Sequence, residues 1–321
     1  LASTYGRGMF TGKFTTNTTT PTWTGTIDTD WAASGNWSNG VPTASTDAIV
    51  PNVTNKPVIN SAVSIRNLVI ENESSLTIGG AGSLTISEDL TNNGTFSINN
   101  GGSLKVSGAS TGNITYHLGI TDTNWHLVSS PVIGQQYDDA WVTANSIASG
   151  AGSNRGISTY DNGTPHATTK HWRYLQAGDA ATFTTGVGYA ALRTSVGNFS
   201  FTGTYPTTDV TPTITQNHNH WNLLGNPYPS YIDIASFITE NTSNFPEDYQ
   251  AVYVWDGTSP TTGNYISLTT GYIHPGQGFF VHSNVASGTA SITEAMQSHQ
   301  ADVNFYRNSL STINLTLSDG G

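Results

Sequence analysis

One stretch of this chain occurs twice, and the repetition constrains the fold more than any single motif does. Trp125–Pro131 reads WHLVSSP, and 96 residues later Trp221–Pro227 reads WNLLGNP. The likeness continues in GVGYAAL at Gly186–Leu192 and GQGFFV at Gly276–Val281. Repetition over this distance is typical of one structural unit used twice. The sequence therefore predicts a β-sandwich of jelly-roll type over residues 113–300, built from an internal duplication.

The preceding region has a different pattern, in which pairs of apolar residues alternate with Thr, Ser and Asn. Corners rich in Asn and Gly separate the pairs at regular spacing. Short alternating strands with such corners favour a β-solenoid, also called a parallel β-helix. A meander of hairpins is the alternative, because Asn-Gly is also a hairpin signal. The pairs are Leu68/Ile70, Leu76/Ile78, Leu84/Ile86, Phe96/Ile98 and Leu104/Val106.

Three tryptophans, Trp23, Trp31 and Trp37, lie close together just before the solenoid pattern. Large aromatic side chains often cover the open end of a β-stack, and the same side chains could form a platform for a ligand. The favoured interpretation is a cap, which places the solenoid-like domain with its Trp-rich cap at residues 21–112. The fold class is then all-β, with a short N-terminal solenoid followed by a sandwich.

Both ends of the chain contain segments with the residue types of strands. Residues 1–20 are interpreted as a leader or an added strand, with Phe10 and Phe14 as its apolar positions. Residues 301–321 are interpreted as a terminal strand or the start of a further region. Within the second segment, Ser309–Leu317 contains neither the charge nor the proline that normally protects a sheet edge. We therefore predict strand addition between chains as a route to filaments. The apolar positions of the second segment are Ile313, Leu315 and Leu317.

Composition narrows the partners and the compartment. Only 10% of the 321 residues are charged, and the net charge is −11. This balance excludes a nucleic-acid partner, which requires clustered Lys and Arg. The absence of Cys excludes disulfides and thiolate metal sites, and no apolar run is long enough for a transmembrane helix. A surface built from Thr, Ser, Asn and Gly suits a protein of the extracellular space or outer cell surface.

The catalytic motifs that the sequence matches lack the structural context that catalysis needs. Gly108–Gly112 matches the G-x-S-x-G pattern, but that pattern has meaning only between a buried strand and a helix. The acidic doublets Asp138-Asp139 and Glu247-Asp248 would point to opposite faces of a strand, so neither is a ready carboxylate pair. The chain is therefore predicted not to be an enzyme, and an enzyme with an unfamiliar site stays as a third hypothesis.

Aromatic residues in predicted loops are the better functional lead, because rings with apolar faces and polar edges can stack on sugars. Four aromatic residues that repeat between the copies, or begin an apolar pair in them, are assigned to the core: Trp125, Trp141, Trp221 and Phe237. The candidates for ligand binding are Trp172, Tyr174, Tyr228, Tyr231, Trp255 and Tyr265.

Asp28 and Asp30 form a D-x-D turn near the tryptophans. Ca²⁺ takes several oxygen ligands from such loops. Calcium is the one cofactor that the sequence suggests, with these two carboxylates as the first candidates and a turn-forming role as the alternative.

Several segments together resemble a known group of proteins. They are TWTGTIDTDWAASGNWSNGVPT, LTNNGTFSINNGGSLKV, WNLLGNPYPS and GQGFFV. They are similar to large secreted surface proteins of Bacteroidota that are exported by the type IX secretion system. The resemblance implies an adhesin-like or filament-forming role, or a non-catalytic part of a polysaccharide-degrading protein. It defines no catalytic residues.

Two functional hypotheses follow from these observations. The leading one is a non-enzymatic extracellular or cell-surface protein for adhesion or assembly, whose partners are chains of the same kind or surface glycans. The alternative is a carbohydrate-binding region of a secreted polysaccharide-degrading protein. An open cleft lined by aromatic residues would favour glycan binding.

Overall fold

The computed structural model describes residues 2–3, 9–10, 20–163, 171–256 and 264–300. These residues form an almost entirely β fold that includes a β-solenoid of about three turns. The predicted all-β class and the solenoid are therefore confirmed. Helices in the described ranges are short, and none has the length and apolar character needed to cross a membrane.

At the N-terminus, β1 (Ala2–Ser3) pairs antiparallel with β2 (Met9–Phe10). Phe10 thus belongs to a short pairing within its own chain. Phe14 and the three apolar positions near the C-terminus, Ile313, Leu315 and Leu317, lie outside the described residues. Assembly by strand addition stays a prediction.

The solenoid consists of short strands that follow one another closely. In chain order they are β3 (Ala48–Val50), β4 (Val58–Ile59), β5 (Ala62–Ile65), β6 (Leu68–Ile70), β7 (Ser75–Ile78), β8 (Ser83–Ile86), β9 (Leu90–Asn92), β10 (Thr95–Ile98), β11 (Ser103–Val106), β12 (Ser110–Thr111) and β13 (Asn113–Ile120).

Parallel pairing stacks these strands into three sheets, with strand orders β3-β6-β9-β12, β4-β7-β10-β13 and β5-β8-β11. Successive apolar pairs of the sequence occupy successive sides of one turn, and the pairs of the next turn lie directly above them. Phe96 pairs with Leu76, for example, and Leu104 pairs with Leu84. All four side chains are buried, so each turn covers the apolar pairs of the turn before.

Trp23, Trp31 and Trp37 pack together at the start of the solenoid, where all three are buried. Trp31 lies edge-to-face on Trp37 with ring centroids 4.6 Å apart, a favourable aromatic geometry. The Trp23 backbone N–H donates to the Ile49 carbonyl at 2.8 Å. The indoles therefore lie in the core at the end of the stack and are not accessible as a ligand platform.

Two units of similar topology follow the solenoid. The first repeat, residues 113–204, begins with β13. It continues with β14 (His126–Ser129), β15 (Gln136–Tyr137), α1 (Asp139–Ala144), β16 (Asn154–Tyr160), β17 (Trp172–Gln176), β18 (Ala181–Thr182), β19 (Gly188–Ala191) and β20 (Gly197–Thr204).

The second repeat, residues 213–289, has the same succession of elements. They are β21 (Thr213–Thr215), β22 (Trp221–Gly225), β23 (Tyr231–Asp233), α2 (Ile234–Glu240), β24 (Val252–Asp256), β25 (Asn264–Leu268), β26 (Tyr272–Ile273), β27 (Gly278–His282) and β28 (Ser287–Thr289). Short 3-10 helices occur at Ser34–Asn36, Thr242–Asn244, Glu247–Tyr249 and Glu294–Met296, and β29 is Gln297–Ser298.

Each repeat contains a four-stranded antiparallel sheet with equivalent strand order, β14-β19-β16-β17 in the first and β22-β27-β24-β25 in the second. In each repeat the first strand pairs with the last, β13 with β20 and β21 with β28. The short helices also match, since each begins after an aspartate that accepts a backbone hydrogen bond, Asp138 from Trp141 and Asp233 from Ser236. The jelly-roll topology stays a prediction.

The first repeat continues the solenoid, because β13 pairs parallel with β10 on one side and antiparallel with β20 on the other. One hydrophobic core therefore runs from the tryptophan cap into the first repeat, and the second repeat has a core of its own. The second repeat also contacts the solenoid directly. The Leu104 N–H of β11 donates to the Pro229 carbonyl at 2.7 Å.

After the second repeat the chain returns to the outer face of the solenoid. The His299 ring lies between two hydroxyl groups, with Nε2 2.9 Å from Thr85 Oγ1 and Nδ1 2.7 Å from Ser103 Oγ. Burial, with a smaller contribution from the nearby Lys105 ammonium, lowers the pKa of His299 to about 4. The neutral ring is therefore the form that joins the end of the second repeat to the solenoid.

We expect Leu84→Ala to lower the free energy of unfolding by about 2–5 kcal/mol, because a fully buried leucine in the stack leaves a cavity. The control is Thr77→Ala, at an outward-facing and only half-buried position of β7. Chemical denaturation of both variants measures the difference. Equal stability of the two variants would contradict the stacked core.

We expect the contribution of His299 to stability to be lost as the pH falls from about 6.5 to about 4. Its folded-state pKa lies below the unfolded value, so folding favours the neutral ring and its contribution is complete above about pH 6.5. His299→Gln keeps an amide for hydrogen bonding and cannot gain a proton. The free energy of unfolding, measured from pH 7 to pH 4, should fall less steeply for the variant; an unchanged slope would refute the assignment.

Candidate ligand-binding cleft

The two repeats meet through a matched pair of backbone hydrogen bonds. Ser129 N–H donates to the Gly276 carbonyl at 2.8 Å, and Gly225 N–H donates to the Gly186 carbonyl at 2.9 Å. Ser129 and Gly225 end the equivalent strands β14 and β22, and the two acceptors begin the two glycine-containing segments. Each repeat thus donates one of these hydrogen bonds and accepts the other. Such reciprocal contacts are expected between two units related by a two-fold axis.

Glycine is required at this junction for two reasons. Gly186 and Gly276 have φ values of +78° and +76°, which glycine adopts without strain. Gly188 and Gly278, two residues later, lie against the backbone of the opposite repeat. A Cβ on Gly188 would be 2.4 Å from the Leu224 carbonyl oxygen, and one on Gly278 would be 3.1 Å from an atom of the opposite strand. The G-x-G sequence of each copy therefore allows the two sheets to approach closely.

The close approach buries a third, smaller hydrophobic cluster between the four-stranded sheets. Its buried members are Leu127 and Ala190 of the first repeat and Leu223 and Phe280 of the second. Around them lie partly buried aromatic residues from both repeats: Trp125, Tyr160, Trp172, Trp221, Tyr253 and Trp255. Rings that remain partly exposed next to a packed cluster form the walls of two cavities.

The first cavity has a volume of about 210 Å³. Most of its wall comes from the first repeat, and two aromatic residues of the second repeat complete it. The lining residues are Trp125, His126, Leu127, Ser158, Trp172, Tyr174, Ala190, Trp255 and Tyr265.

The second cavity is larger, with a volume of about 420 Å³, and the contributions of the two repeats to its wall are reversed. Most of its wall comes from the second repeat, and two aromatic residues of the first repeat complete it. The lining residues are Tyr160, Trp172, Trp221, Tyr249, Tyr253, Tyr265 and Phe280. Trp172 and Tyr265 line both cavities, so we treat the two as one feature, the inter-repeat cleft.

Strand register shows which positions of the two cavities are equivalent. Leu127 pairs with Ala190 as Leu223 pairs with Phe280, which makes Ala190 and Phe280 equivalent. The neighbouring strands pair Ser158 with Ala190 and Tyr253 with Phe280. They also pair Tyr160 with Trp172 and Trp255 with Tyr265. The shared residues Trp172 and Tyr265 are therefore equivalents, and each cavity contains the aromatic pair of the opposite repeat.

Phe280 fixes the rings of the second cavity. Its centroid lies 4.8 Å from that of Tyr160 and 5.5 Å from that of Tyr265, both in edge-to-face contact. Trp221 makes a similar contact with Tyr253 at 4.7 Å. Edge-to-face packing is a favourable aromatic geometry, so each ring is supported by its neighbours.

The cleft carries little charge. Among its described lining residues there is no Asp, Glu, Lys or Arg. Burial lowers the pKa of His126 to about 4, so its ring is neutral near pH 7. Partial burial, with a smaller effect of Tyr160, raises the pKa of Tyr265 to about 12, and burial also raises the pKa of Tyr160 and Tyr253. The phenols stay protonated and available as hydrogen-bond donors.

Ser158 lines the first cavity and carries a buried hydroxyl group. The residue is 2% exposed, and within the described part of the chain its Oγ has no hydrogen-bond partner. A buried hydroxyl without a partner costs stability, so it is an unusual side chain to retain.

Four of the six aromatic residues proposed from the sequence meet in this cleft: Trp172, Tyr174, Trp255 and Tyr265. The other two proposals were wrong, because Tyr228 and Tyr231 are buried. The Tyr228 hydroxyl donates to the Ile292 carbonyl at 3.0 Å, and the Tyr231 hydroxyl donates to the Gly101 carbonyl at 3.3 Å. Both side chains hold the fold together and are not accessible to a ligand.

Sequence reasoning also assigned Trp125 and Trp221 to the core, and this assignment was wrong. Both indoles are only half-buried, and each lines one of the cavities. Trp141 and Phe237, in the two short helices, are buried as predicted. Alternation along the strand could have separated the cleft tryptophans from the core residues. Each cleft tryptophan comes one residue before a strand position that faces the core of its repeat, so its own side chain lies on the other face of the sheet.

Asp28 and Asp30 lie in the tryptophan cap, away from the cleft. Asp28 Oδ1 accepts from the Asp30 N–H at 2.9 Å and from Asn36 Nδ2 at 2.7 Å. Asp30 Oδ1 accepts from the Ala32 N–H at 3.0 Å. Nowhere in the described ranges do three or more His, Cys, Asp or Glu side chains gather as a group that could hold a metal ion. Calcium binding stays a prediction.

Fold and cleft together define an all-β repeat protein in which a solenoid supports two repeats with an aromatic cleft between them. The chain belongs to the family described as domain of unknown function DUF8693, whose model matches residues 22–267. The matched residues include the cap, the solenoid, the first repeat and all cleft residues except Phe280. No curated protein and no solved structure matches the chain.

We expect Gly188→Ala to lower stability more than Gly278→Ala does, although the two positions are equivalent. The new Cβ would be 2.4 Å from a backbone oxygen in the first case and no nearer than 3.1 Å to its neighbours in the second. Overpacking of this kind typically costs about 1–3 kcal/mol. Thermal unfolding measures the difference, and equal losses at the two positions would contradict the described junction.

Proposed function

We propose that this chain is a non-enzymatic extracellular or cell-surface protein that attaches to uncharged glycans through the inter-repeat cleft. The observation that carries the proposal is a cleft walled by aromatic rings from both repeats, with no charged residue among its described lining. Sugar rings present flat apolar faces edged by hydroxyl groups. Aromatic faces with phenol and indole edges are complementary to both features.

The size of the cleft supports a small-molecule or oligosaccharide ligand. Ligand sites in proteins commonly have volumes of about 300–1,000 Å³, and the second cavity, at about 420 Å³, lies in this range. Tyr174 and Tyr265 are 40% and 43% exposed, so a ligand can reach their rings from solvent.

The lining also supports binding in preference to hydrolysis. Most glycosidases use two carboxyl groups about 5–10 Å apart across the scissile bond. The described lining of the cleft supplies no carboxyl group at all. A bound glycan would therefore be held and not cleaved by this common mechanism.

The proposed location is the extracellular space or the cell surface. The low charge and the surface rich in Thr, Ser and Asn support an extracellular setting, and the resemblance to type IX cargo proteins of Bacteroidota supports the same location. Attachment to glycans is the form of adhesion that the cleft favours.

The proposal is tested by affinity electrophoresis in gels that contain uncharged polysaccharides, namely glucans, mannans and xylans. We expect retardation by at least one of them. Trp172→Ala should weaken binding by about 2 kcal/mol or more, the usual effect of removing a central aromatic anchor, and Tyr265→Ala should weaken it in the same direction.

Tyr272→Ala is the matched control, because Tyr272 is half-buried on a small sheet of the second repeat and lines neither cavity. Circular dichroism and melting curves verify that each variant is folded. Migration that is unaffected by Trp172→Ala and Tyr265→Ala, or equally changed by the control, would exclude the cleft as the glycan site.

A further inference from the structure

Building on the proposed function, we infer that the two cavities are inequivalent subsites for one linear, uncharged oligosaccharide. The sugar chain crosses Trp172 and Tyr265 from one cavity to the other, and the Ser158 hydroxyl binds a sugar hydroxyl in the first cavity.

The two cavities share part of their wall. Trp172 and Tyr265 line both cavities, so a ligand that touches these rings in one cavity lies beside the entrance of the other. The first cavity alone, at about 210 Å³, is below the usual size of a ligand site, whereas the two together are within it. A ligand with several linked rings therefore fits the cleft better than a single compact molecule.

The linings of the two cavities differ at equivalent positions. At two equivalent pairs of positions the first cavity has Ala190 and Ser158 where the second has Phe280 and Tyr253. The second subsite thus offers more ring surface for stacking. The first has the smaller volume, and at the position equivalent to Tyr253 it has the small hydroxyl side chain of Ser158.

Ser158 lines the first cavity, and its Oγ is buried and has no hydrogen-bond partner in the described part of the chain. A hydroxyl group can both donate to and accept from a sugar hydroxyl. Binding would therefore satisfy a group that the free protein leaves unsatisfied, and the energy of that hydrogen bond is gained only with the ligand present.

Direction follows from the two-fold relation between the repeats. A linear oligosaccharide has two different ends, and a two-fold axis across its path would present each end with the same contacts. Because the subsites differ at Ala190/Phe280 and Ser158/Tyr253, one orientation of the sugar chain is preferred over the other.

Isothermal titration with linear oligosaccharides of glucose, mannose and xylose, two to six sugars long, tests the inference. For at least one series we expect the affinity to rise by about tenfold or more between two and four sugars and then to level off. Trp221→Ala should weaken the binding of short and long members. Trp125→Ala should weaken only the long members, because only they reach the first subsite.

Ser158→Ala gives the sharpest readout, because its two expected effects have opposite signs. Removal of a buried hydroxyl without a partner should leave the melting temperature of the free protein unchanged or raised. The same change should weaken the four-sugar ligand by about tenfold and leave the two-sugar ligand unaffected. Ser287→Ala, at an exposed position of β28, is the matched control and should change neither quantity.

The outcomes separate the two proposals. No binding of any probe by the folded protein would overturn both glycan binding and the two-subsite arrangement. Binding without a gain between two and four sugars, or binding of the four-sugar ligand unchanged by Trp125→Ala and Ser158→Ala, would overturn the two-subsite inference and leave the proposed function standing.

Discussion

The cleft depends on a single constraint, the direct contact between the backbones of the two repeats. Two equivalent hydrogen bonds, Ser129 to Gly276 and Gly225 to Gly186, bring the ends of the four-stranded sheets together. A Cβ at Gly188 would collide with the opposite strand at 2.4 Å, and one at Gly278 would be tightly placed against it at 3.1 Å. The spacing of the aromatic walls is therefore set by backbone geometry, which is stiffer than contacts between long side chains.

The solenoid gives this junction a fixed base. Strand β13 belongs both to the solenoid and to the first repeat, so one continuous core joins them. The second repeat is held to the same base through Pro229 and His299, which contact the outer part of the solenoid. Both halves of the cleft are thus attached to one scaffold, which supports the junction between them.

The sequence was informative where the pattern was local. Alternating apolar pairs such as Leu76/Ile78 face a core two residues at a time, so the solenoid could be predicted without knowing which strands pair. The cleft could not be predicted in this way. Tryptophan recurs at the equivalent positions 125 and 221, and recurrence alone predicts a core position. In the structure both indoles line the inter-repeat cleft, which exists only after both repeats have formed.

The two tyrosines near the proline corner show the same limit. Tyr228 and Tyr231 follow Pro227 and lie in a segment that reads as a loop. Their hydroxyls donate to carbonyls of Ile292 and Gly101, residues far away in the sequence. Burial by such distant partners leaves no local signal, whereas Trp172 and Tyr265 stand on strands that border the junction and line the cleft.

Placing both copies in one polypeptide has a consequence for how the cleft can change. In a dimer of identical subunits, every substitution alters both pockets at once, so they stay copies of each other. Here position 190 is Ala and the equivalent position 280 is Phe. A mutation can therefore replace either residue without changing the other. Under the proposed function, selectivity at one end of the cleft can therefore change while the contacts at the other end stay the same.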